Sequence, residues 1–158
     1  MPRCRSYPTL VDLLGLPASP ELGTAHNGVS LRRAFEQPHA NHTDTKPFAF
    51  SQYPRCGAGP LLEANGDCLQ VAAANFSTMG YSIRDGEFRW TEWKAWDGDE
   101  LRPVWGETVA TELYDHRGDD GTDFNAWENA NLANETAFAP MVARLRAALA
   151  AQFAHDEE

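Results

Sequence analysis

The chain has 158 residues, the length of about one ordinary domain, and 42% of them are hydrophobic, which is enough for a buried core. Its formal net charge of −10 argues against nucleic acid and anionic membrane surfaces as partners, because both favour a basic face. No run of about 18 apolar residues occurs, so no membrane span is predicted.

The N-terminal stretch "SYPTLVDLLGLP" predicts a short helix. We expect it to bury one apolar stripe, formed by Leu10, Val11, Leu13 and Leu14. Gly15 and Pro17 mark its end. The stretch lacks the long apolar segment and cleavage site of a signal peptide, so none is expected in this chain. Residues 18–46 are polar, with frequent Pro and Gly, and predict a linker or loop with a brief helical turn in "GVSLRRAF".

Two further stretches predict strands. "KPFAFSQYPR" alternates and indicates a strand that ends at Pro54. In "TMGYSIRDGEFRWTEWKAW", a two-residue turn at Asp85-Gly86 places Arg84 opposite Glu87 as an opposite-charge pair. In that register one face is apolar and consists of Met79, Tyr81, Ile83, Phe88 and Trp90.

The alternation changes after residue 92. Trp93 falls on the polar face, whereas Trp96 returns to the apolar one. This pattern indicates a bulge, the end of the strand, or cover on both faces. Tryptophans at strand spacing are typical of a core, and stacking on sugar rings is the alternative.

The remaining elements complete a small α+β fold. "ATELYDHRG" predicts a strand around residues 111–116, and the last segment predicts a helix with Pro140 in its first turn. One face of that helix is apolar and carries Met141, Val142, Leu145, Ala148, Leu149 and Phe153. We therefore predict a small antiparallel sheet of about four strands with a C-terminal amphipathic helix packed on it.

Several groups of acidic, histidine and cysteine residues are candidate chemical sites. Residues 97–128 hold ten acidic side chains and two arginines, which predicts a solvated face, with a cation site as the alternative. Asp119, Asp120 and Asp123 do not fit the EF-hand pattern. His39 and His42 add to Cys56 and Cys68 as four zinc-type ligands, but the cysteines lack C-x-x-C spacing.

Two kinds of covalent modification are also suggested. Three cysteines do not make a disulfide framework, although Cys56 and Cys68 enclose a Gly-rich loop and are able to pair in an oxidising compartment. Three N-x-S/T sequons begin at Asn41, Asn75 and Asn134 and are candidate N-glycan sites.

A set of sequence blocks, in order, resembles the C-terminal portion of a sulfatase of the iduronate-2-sulfatase type. The blocks are "SYPTLVDLLGLP", "GVSLRRAF", "FSQYPR", "MGYSIRDGEFRWTEW", "ELYDHRGD" and "WENANLA". The resemblance implies that residues 1–17 are a remnant helix of the large sulfatase domain. It makes 18–46 a linker and 47–158 the C-terminal subdomain of an alkaline-phosphatase/sulfatase-like fold.

The motif that carries sulfatase chemistry is missing from the chain. In the family, the cysteine of a C-x-P-S-R motif becomes formylglycine, its hydrated aldehyde attacks the sulfate sulfur, and a calcium ion stabilises the oxygens. None of Cys4, Cys56 and Cys68 begins such a motif, and Ser6 is followed by Leu10 where arginine is needed. The resemblance therefore implies no catalytic residue and no calcium ligand in this chain.

The resemblance implies the C-terminal part of a sulfuric ester hydrolase that acts on sulfated sugars, such as glycosaminoglycans, and is inactive alone. Its partners would be the missing large domain and the sulfated substrate, in a family that is typically secreted, lysosomal or periplasmic. Trp93, Lys94 and Trp96 are the candidate substrate-rim residues. The alternative is a free-standing carbohydrate- or protein-binding module that uses Trp93, Trp96 and the acidic loop.

Overall fold

The computed structural model describes residues 6–17, 29–39, 47–57, 68, 71–123 and 125–153. The chain divides into two compact units, Met1–Pro47 and Phe48–Glu158. The division lies next to residue 47, where the sequence resemblance places the start of the C-terminal subdomain. Zinc-type residue His42 and sequon residue Asn41 lie outside the described residues.

The first unit contains two short helices, α1 (Ser6–Leu13) and α2 (Arg32–Glu36). The backbone N–H of Leu31 donates to Thr9 Oγ1 at 2.9 Å and ties the start of α2 to α1. Gly15 has φ 61°, a left-handed conformation that glycine adopts without penalty, and this allows the chain to leave α1. The predicted helix and the predicted turn in "GVSLRRAF" are thus both present.

The predicted burial of the α1 stripe is wrong. Leu10, Leu13 and Leu14 are 56%, 46% and 67% exposed, and Val11 is only half-buried. Within the described part of this unit, α1 meets only the five-residue helix α2. So short a partner offers too little apolar surface to cover the stripe.

The second unit is an antiparallel sheet with a helix on one face. Its strands are β1 (Ala49–Cys56), β2 (Phe76–Arg84), β3 (Phe88–Asp97) and β4 (Arg102–Asp115), in the spatial order β1-β2-β3-β4. Helix α3 (Ala139–Phe153) packs against β2 and β3. We call the face under α3 the inner face and the opposite one the outer face. The predicted α+β class and the four-strand sheet are confirmed.

The turn between β2 and β3 differs from the predicted one. Arg84 pairs with Arg89 and Ile83 with Trp90, so the predicted Arg84–Glu87 pair is wrong. Asp85 closes a longer loop, because its Oδ1 accepts the backbone N–H groups of Glu87 and Phe88 at 2.8 and 2.6 Å. An aspartate side chain that accepts backbone donors in this way stabilises a turn of its own.

The register shift of two residues leaves every side chain on its predicted face. The inner face of the sheet carries the predicted apolar set, and α3 contributes two buried leucines. The buried core consists of Met79, Tyr81, Ile83, Phe88, Trp90, Leu113, Leu145 and Leu149. The other predicted apolar residues of α3 are partly buried against this core. Among the described residues, no helix has the length and apolar character to cross a membrane.

Three strands extend beyond their predicted ends. β1 passes through Pro54 to Cys56, which is tolerated because β1 is an edge strand and proline removes no donor from a central ladder. β4 begins at Arg102 rather than near residue 111. β3 continues to Asp97, and its pairing with β4 shifts between Trp93 and Ala95. The altered alternation therefore reflects a strand that is covered on both faces together with an irregularity on its neighbour.

Candidate functional site

Trp93 lies on the outer face and is held there by three neighbours. Its indole Nε1 donates to Glu112 Oε1 at 2.9 Å. The guanidinium of Arg55 lies 4.3 Å from the ring centroid, a cation–π contact. Gly80, its cross-strand partner, leaves room for the ring, since a Cβ there would meet Trp93 Cζ3 at 2.7 Å. The indole is therefore held flat between the sheet and the Arg55 guanidinium.

Lys94 lies under α3 and is almost completely buried. Its Nζ is 2.6 Å from Glu92 Oε2, and both side chains are 4% exposed. Lys94 Nζ also donates to the Trp105 carbonyl and to Thr108 Oγ1, at 3.1 and 2.7 Å. A buried ion pair is tolerated only when further hydrogen bonds satisfy it, and these contacts meet that condition.

The remaining oxygen of Glu92 links the sheet to the helix. Glu92 Oε1 accepts Trp90 Nε1 at 3.1 Å, and Arg146 Nε of α3 lies 3.1 Å from the same oxygen. Two inner-face positions of β3 are thus charged rather than apolar. Glu92 and Lys94 follow Trp90 on the inner face, so the apolar alternation of the sequence changes there.

Trp96 also lies on the inner face, where it packs against Phe76 with ring centroids 5.9 Å apart. Its Nε1 donates to the Ala73 carbonyl at 2.9 Å. The three candidate rim residues therefore do not share a surface. Trp93 lies on the outer face, whereas Lys94 and Trp96 lie on the inner face. Of the three, Trp93 alone lies on the face that α3 leaves open.

The covalent candidates lie at the surface and at one sheet edge. Asn75 and Asn134 are both exposed. Cys56 and Cys68 are joined as a disulfide, with Cα atoms 5.8 Å apart, and Cys68 is 7% exposed. The bond connects the end of edge strand β1 to residue 68. Glycan attachment and the pairing of these thiols in the isolated protein stay predictions.

A cluster of charges that the sequence did not predict lies at the other end of the outer face. His116, at the end of β4, has a side chain only 4% exposed. Its Nδ1 is 2.8 Å from Asp119 Oδ2, and its Nε2 is 2.9 Å from Glu128 Oε1. Arg84 donates to Asp119 at 3.1 Å, and Arg89 donates to Glu128. We call these five residues the outer-face charge cluster.

Four of the five residues of the outer-face charge cluster line a cavity of about 430 Å³. The lining residues are Arg84, His116, Asp119, Gly121, Trp127 and Glu128. Trp127 stacks on the His116 ring, with centroids 6.1 Å apart and planes 21° from parallel. The cavity therefore lies between the sheet and the returning loop that carries Trp127 and Glu128.

Two carboxylates have pKa values below their usual range. The hydrogen bond from His116, aided by the Gly121 N–H and by Arg84, lowers the pKa of Asp119. Burial raises the pKa of Asp85, but hydrogen bonds from Arg144 and from the turn backbone outweigh it, so the pKa is lowered overall. Both carboxylates are therefore held in the charged form by specific donors.

The described His, Cys, Asp and Glu side chains do not fit the calcium and formylglycine site that the resemblance to a sulfatase implies. No group of three or more described His, Cys, Asp and Glu side chains is placed to hold a metal ion. Asp119 and Glu128 contact opposite nitrogens of one ring, so they do not converge on a point. Cys56 and Cys68 bind each other, and Cys4 lies outside the described residues.

One signal for the outer-face charge cluster is present in the sequence. His116 follows the last strand directly, with an acid three residues later, a spacing at which a short turn brings the two side chains together. The contact with Glu128 depends on how the loop of residues 117–127 returns, and no local pattern fixes that path. The acidic composition therefore predicts a solvated face, although Asp119 and Glu128 contact the buried His116 ring.

A comparison with solved structures shows the fold. A sulfatase-like protein from Bacteroides thetaiotaomicron VPI-5482, known from its crystal structure, matches with a TM-score of 0.58. The match covers 94% of this chain and 24% of that chain at 21% sequence identity, and it shows the fold alone. The four-stranded antiparallel sheet with its C-terminal helix therefore has a counterpart in about a quarter of a larger solved protein.

The sequence comparisons give the particular relatives. The iduronate 2-sulfatases of Mus musculus and Homo sapiens are each 28% identical to this chain over 137 residues, which covers 78% of the chain. The chain spans 24% of the length of these curated relatives. No family model matches the chain. The predicted resemblance to a sulfatase of the iduronate-2-sulfatase type is confirmed.

Proposed function

We propose that this chain is the C-terminal part of a sulfuric ester hydrolase that acts on sulfated sugars, and that it does not hydrolyse sulfate esters alone. The similarity to iduronate 2-sulfatases, which covers 78% of the chain, carries the proposal. The absence of a C-x-P-S-R motif from the sequence supports the inactivity of the chain by itself. In this proposal the chemistry belongs to the remaining part of a longer polypeptide.

The role proposed for the subdomain is structural, with one point of contact at the substrate rim. The second unit has its own buried core, so it supplies a rigid body. Trp93 is the rim residue retained from the sequence prediction, because its indole lies on the open face. The guanidinium of Arg55, 4.3 Å from that ring, adds a positive charge suited to a sulfate group.

A turnover assay tests the proposed inactivity. The purified 158-residue chain is incubated with an aryl sulfate, with and without added calcium ions. We expect no sulfate release above a denatured-protein control. Turnover that scales with the concentration of the folded chain would refute the proposal. Sequencing the transcript provides a second test, since the proposal expects a C-x-P-S-R motif in the same reading frame.

The alternative of a free-standing carbohydrate-binding module keeps one specific observation in its favour. The Trp93 indole is exposed in part and lies flat on the sheet under the Arg55 guanidinium, so an aromatic ring and a cation suited to a sulfated sugar stand together on the outer face. A sugar ring would have to displace Arg55 in order to stack on that indole. The burial of Lys94 and the partial burial of Trp96 argue against an extended aromatic ribbon.

Glycan binding distinguishes the two functions. The probe is a heparin column run at low salt. Strong retention that Trp93→Ala abolishes would favour the module. The matched control is Leu101→Ala, which shortens a side chain that is 52% exposed in the turn between β3 and β4. The sulfatase proposal expects weak retention that Trp93→Ala lowers only slightly and Leu101→Ala leaves unchanged, because most of the substrate pocket would lie elsewhere.

A further inference from the structure

The sequon Asn134-Glu135-Thr136 lies in an exposed turn just before α3. Asn134 and Thr136 are both exposed, and the backbone N–H of Glu135 donates to the Leu132 carbonyl at 3.0 Å. Neither the Asn134 amide nor the Thr136 hydroxyl has a hydrogen-bond partner among the described residues. Both side chains of this sequon are therefore available to an enzyme that acts at the surface.

The sequon that begins at Asn75 is bound into the sheet instead. Its Ser77 hydroxyl donates to the Arg55 carbonyl at 2.9 Å. Trp96 Nε1 donates to the Ala73 carbonyl at 2.9 Å and holds the short 3-10 turn that carries Asn75. An enzyme that modifies Asn75 in the folded chain must first open these contacts, and such local opening costs free energy.

A cavity of about 560 Å³ lies between the turn at Asn134 and α3. Its lining includes the three sequon residues and, from the helix, Val142, Ala143, Arg146 and Ala147. We call this cavity the α3 groove. Because Asn134 belongs to its wall, any group bonded to the Asn134 amide begins at the α3 groove.

The α3 groove offers one charged donor and an apolar surface. Arg146 has a side chain that is 61% exposed, and its Nε lies 3.1 Å from Glu92 Oε1. Its two terminal nitrogens contact no acceptor among the described residues, so they are able to donate to a ligand. Ala143 and Ala147 are exposed and present methyl groups. An N-acetyl group carries a methyl group and a carbonyl oxygen, which suit these alanines and this donor respectively.

We propose that Asn134 is an N-glycosylation site and that the first N-acetylglucosamine residue of its glycan lies in the α3 groove. In the transfer, Asn134 Nδ2 loses one proton and forms a bond to C1 of the sugar. The bond between C1 and the phosphate oxygen of a lipid-pyrophosphate-linked donor breaks, and the lipid pyrophosphate leaves with the electron pair. This modification is independent of the proposed sulfatase function.

Peptide mapping by mass spectrometry tests the acceptor residue. The 158-residue chain is secreted from a eukaryotic host behind a cleavable leader, and its peptides are compared before and after peptide N-glycosidase treatment. We expect sugar on more than about half of the Asn134 side chains and on fewer than about a tenth of the Asn75 side chains. Thr136→Ala should remove the sugar from Asn134, whereas the matched control Ser77→Ala should leave it in place. An unmodified Asn134, or equal modification of Asn75, would overturn the proposal.

Nuclear magnetic resonance tests the position of the sugar. The glycan is trimmed to its first N-acetylglucosamine residue, and the alanine methyl groups are isotope-labelled. We expect nuclear Overhauser contacts from the acetamido methyl group to Ala143 or Ala147, and weaker ones in Arg146→Ala. Ala110, exposed on the outer face, is the control and should show no such contact. A sugar on Asn134 that contacts neither alanine of α3 would overturn its placement in the α3 groove.

Discussion

The two faces of the sheet bury charge in different ways. Under α3, Glu92 and Lys94 form a pair that is 4% exposed at both side chains and is surrounded by apolar residues. On the outer face, His116 is equally buried, but its partners Asp119 and Glu128 are 12% and 35% exposed, and the contacts line an open cavity. We call Glu92 and Lys94 the sealed pair, because both side chains are shielded from solvent. The contacts of His116, in contrast, lie beside solvent.

The two arrangements differ in how much desolvation they require. Removing two charges from water is costly, and the cost is recovered only when both partners are hydrogen-bonded to each other and to further groups. Glu92 and Lys94 both lie on β3, and Arg146 Nε of α3 reaches Glu92 Oε1 at 3.1 Å, so this carboxylate joins the helix to the sheet. The partners of His116 stay in contact with solvent, so the outer cluster requires less desolvation.

Breaking the sealed pair should have the largest effect on stability. Glu92→Leu leaves Lys94 buried without its carboxylate, and we expect a loss of about 4 kcal/mol in the free energy of unfolding, measured in urea. The double variant Glu92→Leu/Lys94→Met should recover most of that loss. Arg146→Ala is the control: its side chain is 61% exposed, so it should cost less than about 1 kcal/mol. A single variant as stable as the original would contradict the sealed-pair interpretation.

Emptying the helix–sheet core should have the next largest effect. Leu145 is fully buried on α3 against the inner face. Leu145→Ala should destabilise the second unit by about 3 kcal/mol, since it removes apolar contacts and leaves a cavity. Val109→Ala, at a position that is 58% exposed, is the matched control and should change stability by less than about 0.5 kcal/mol. Equal effects of the two substitutions would argue against helix packing on this face.

The outer face should respond more mildly, at the contact between Gly80 and Trp93. Gly80→Ala places a Cβ 2.7 Å from Trp93 Cζ3, so the indole must move. We expect a loss of about 2 kcal/mol in thermal or urea unfolding. In a Trp93→Ala background the same substitution should be nearly neutral. Gly86→Ala, where a Cβ would meet nothing within 4 Å, provides the control.

The smallest effect should appear as a change in the acid dependence of stability. Hydrogen bonds hold the folded-state pKa of Asp85 below its ordinary value of 3.8. Its contribution to stability is therefore present above that value and is lost as pH falls through the lower folded-state pKa. In Asp85→Asn, urea unfolding between about pH 5 and pH 2 should show a shallower loss of stability than in the unmodified chain. Parallel curves would show that Asp85 does not contribute.

The sequence alone determined the elements and their faces. Alternation assigned Tyr81, Ile83 and Trp90 to one face of the hairpin, and the four-residue repeat of leucines assigned the inner side of α3. These periods are local properties of strands and helices, so the sequence shows them without knowledge of the neighbouring elements. The ordered blocks also carried the resemblance to sulfatases.

The tertiary structure decided the register and the charge contacts. A shift of two residues at Asp85 keeps every side chain on the same face, so the apolar pattern does not distinguish the predicted register from the observed one. Burial of the Glu92–Lys94 pair depends on partners that are distant in sequence: β4 supplies Trp105 and Thr108 to Lys94, and α3 supplies Arg146 to Glu92. The link from His116 to Glu128 crosses twelve positions through a returning loop, and it forms only because the sheet edge and the loop meet there.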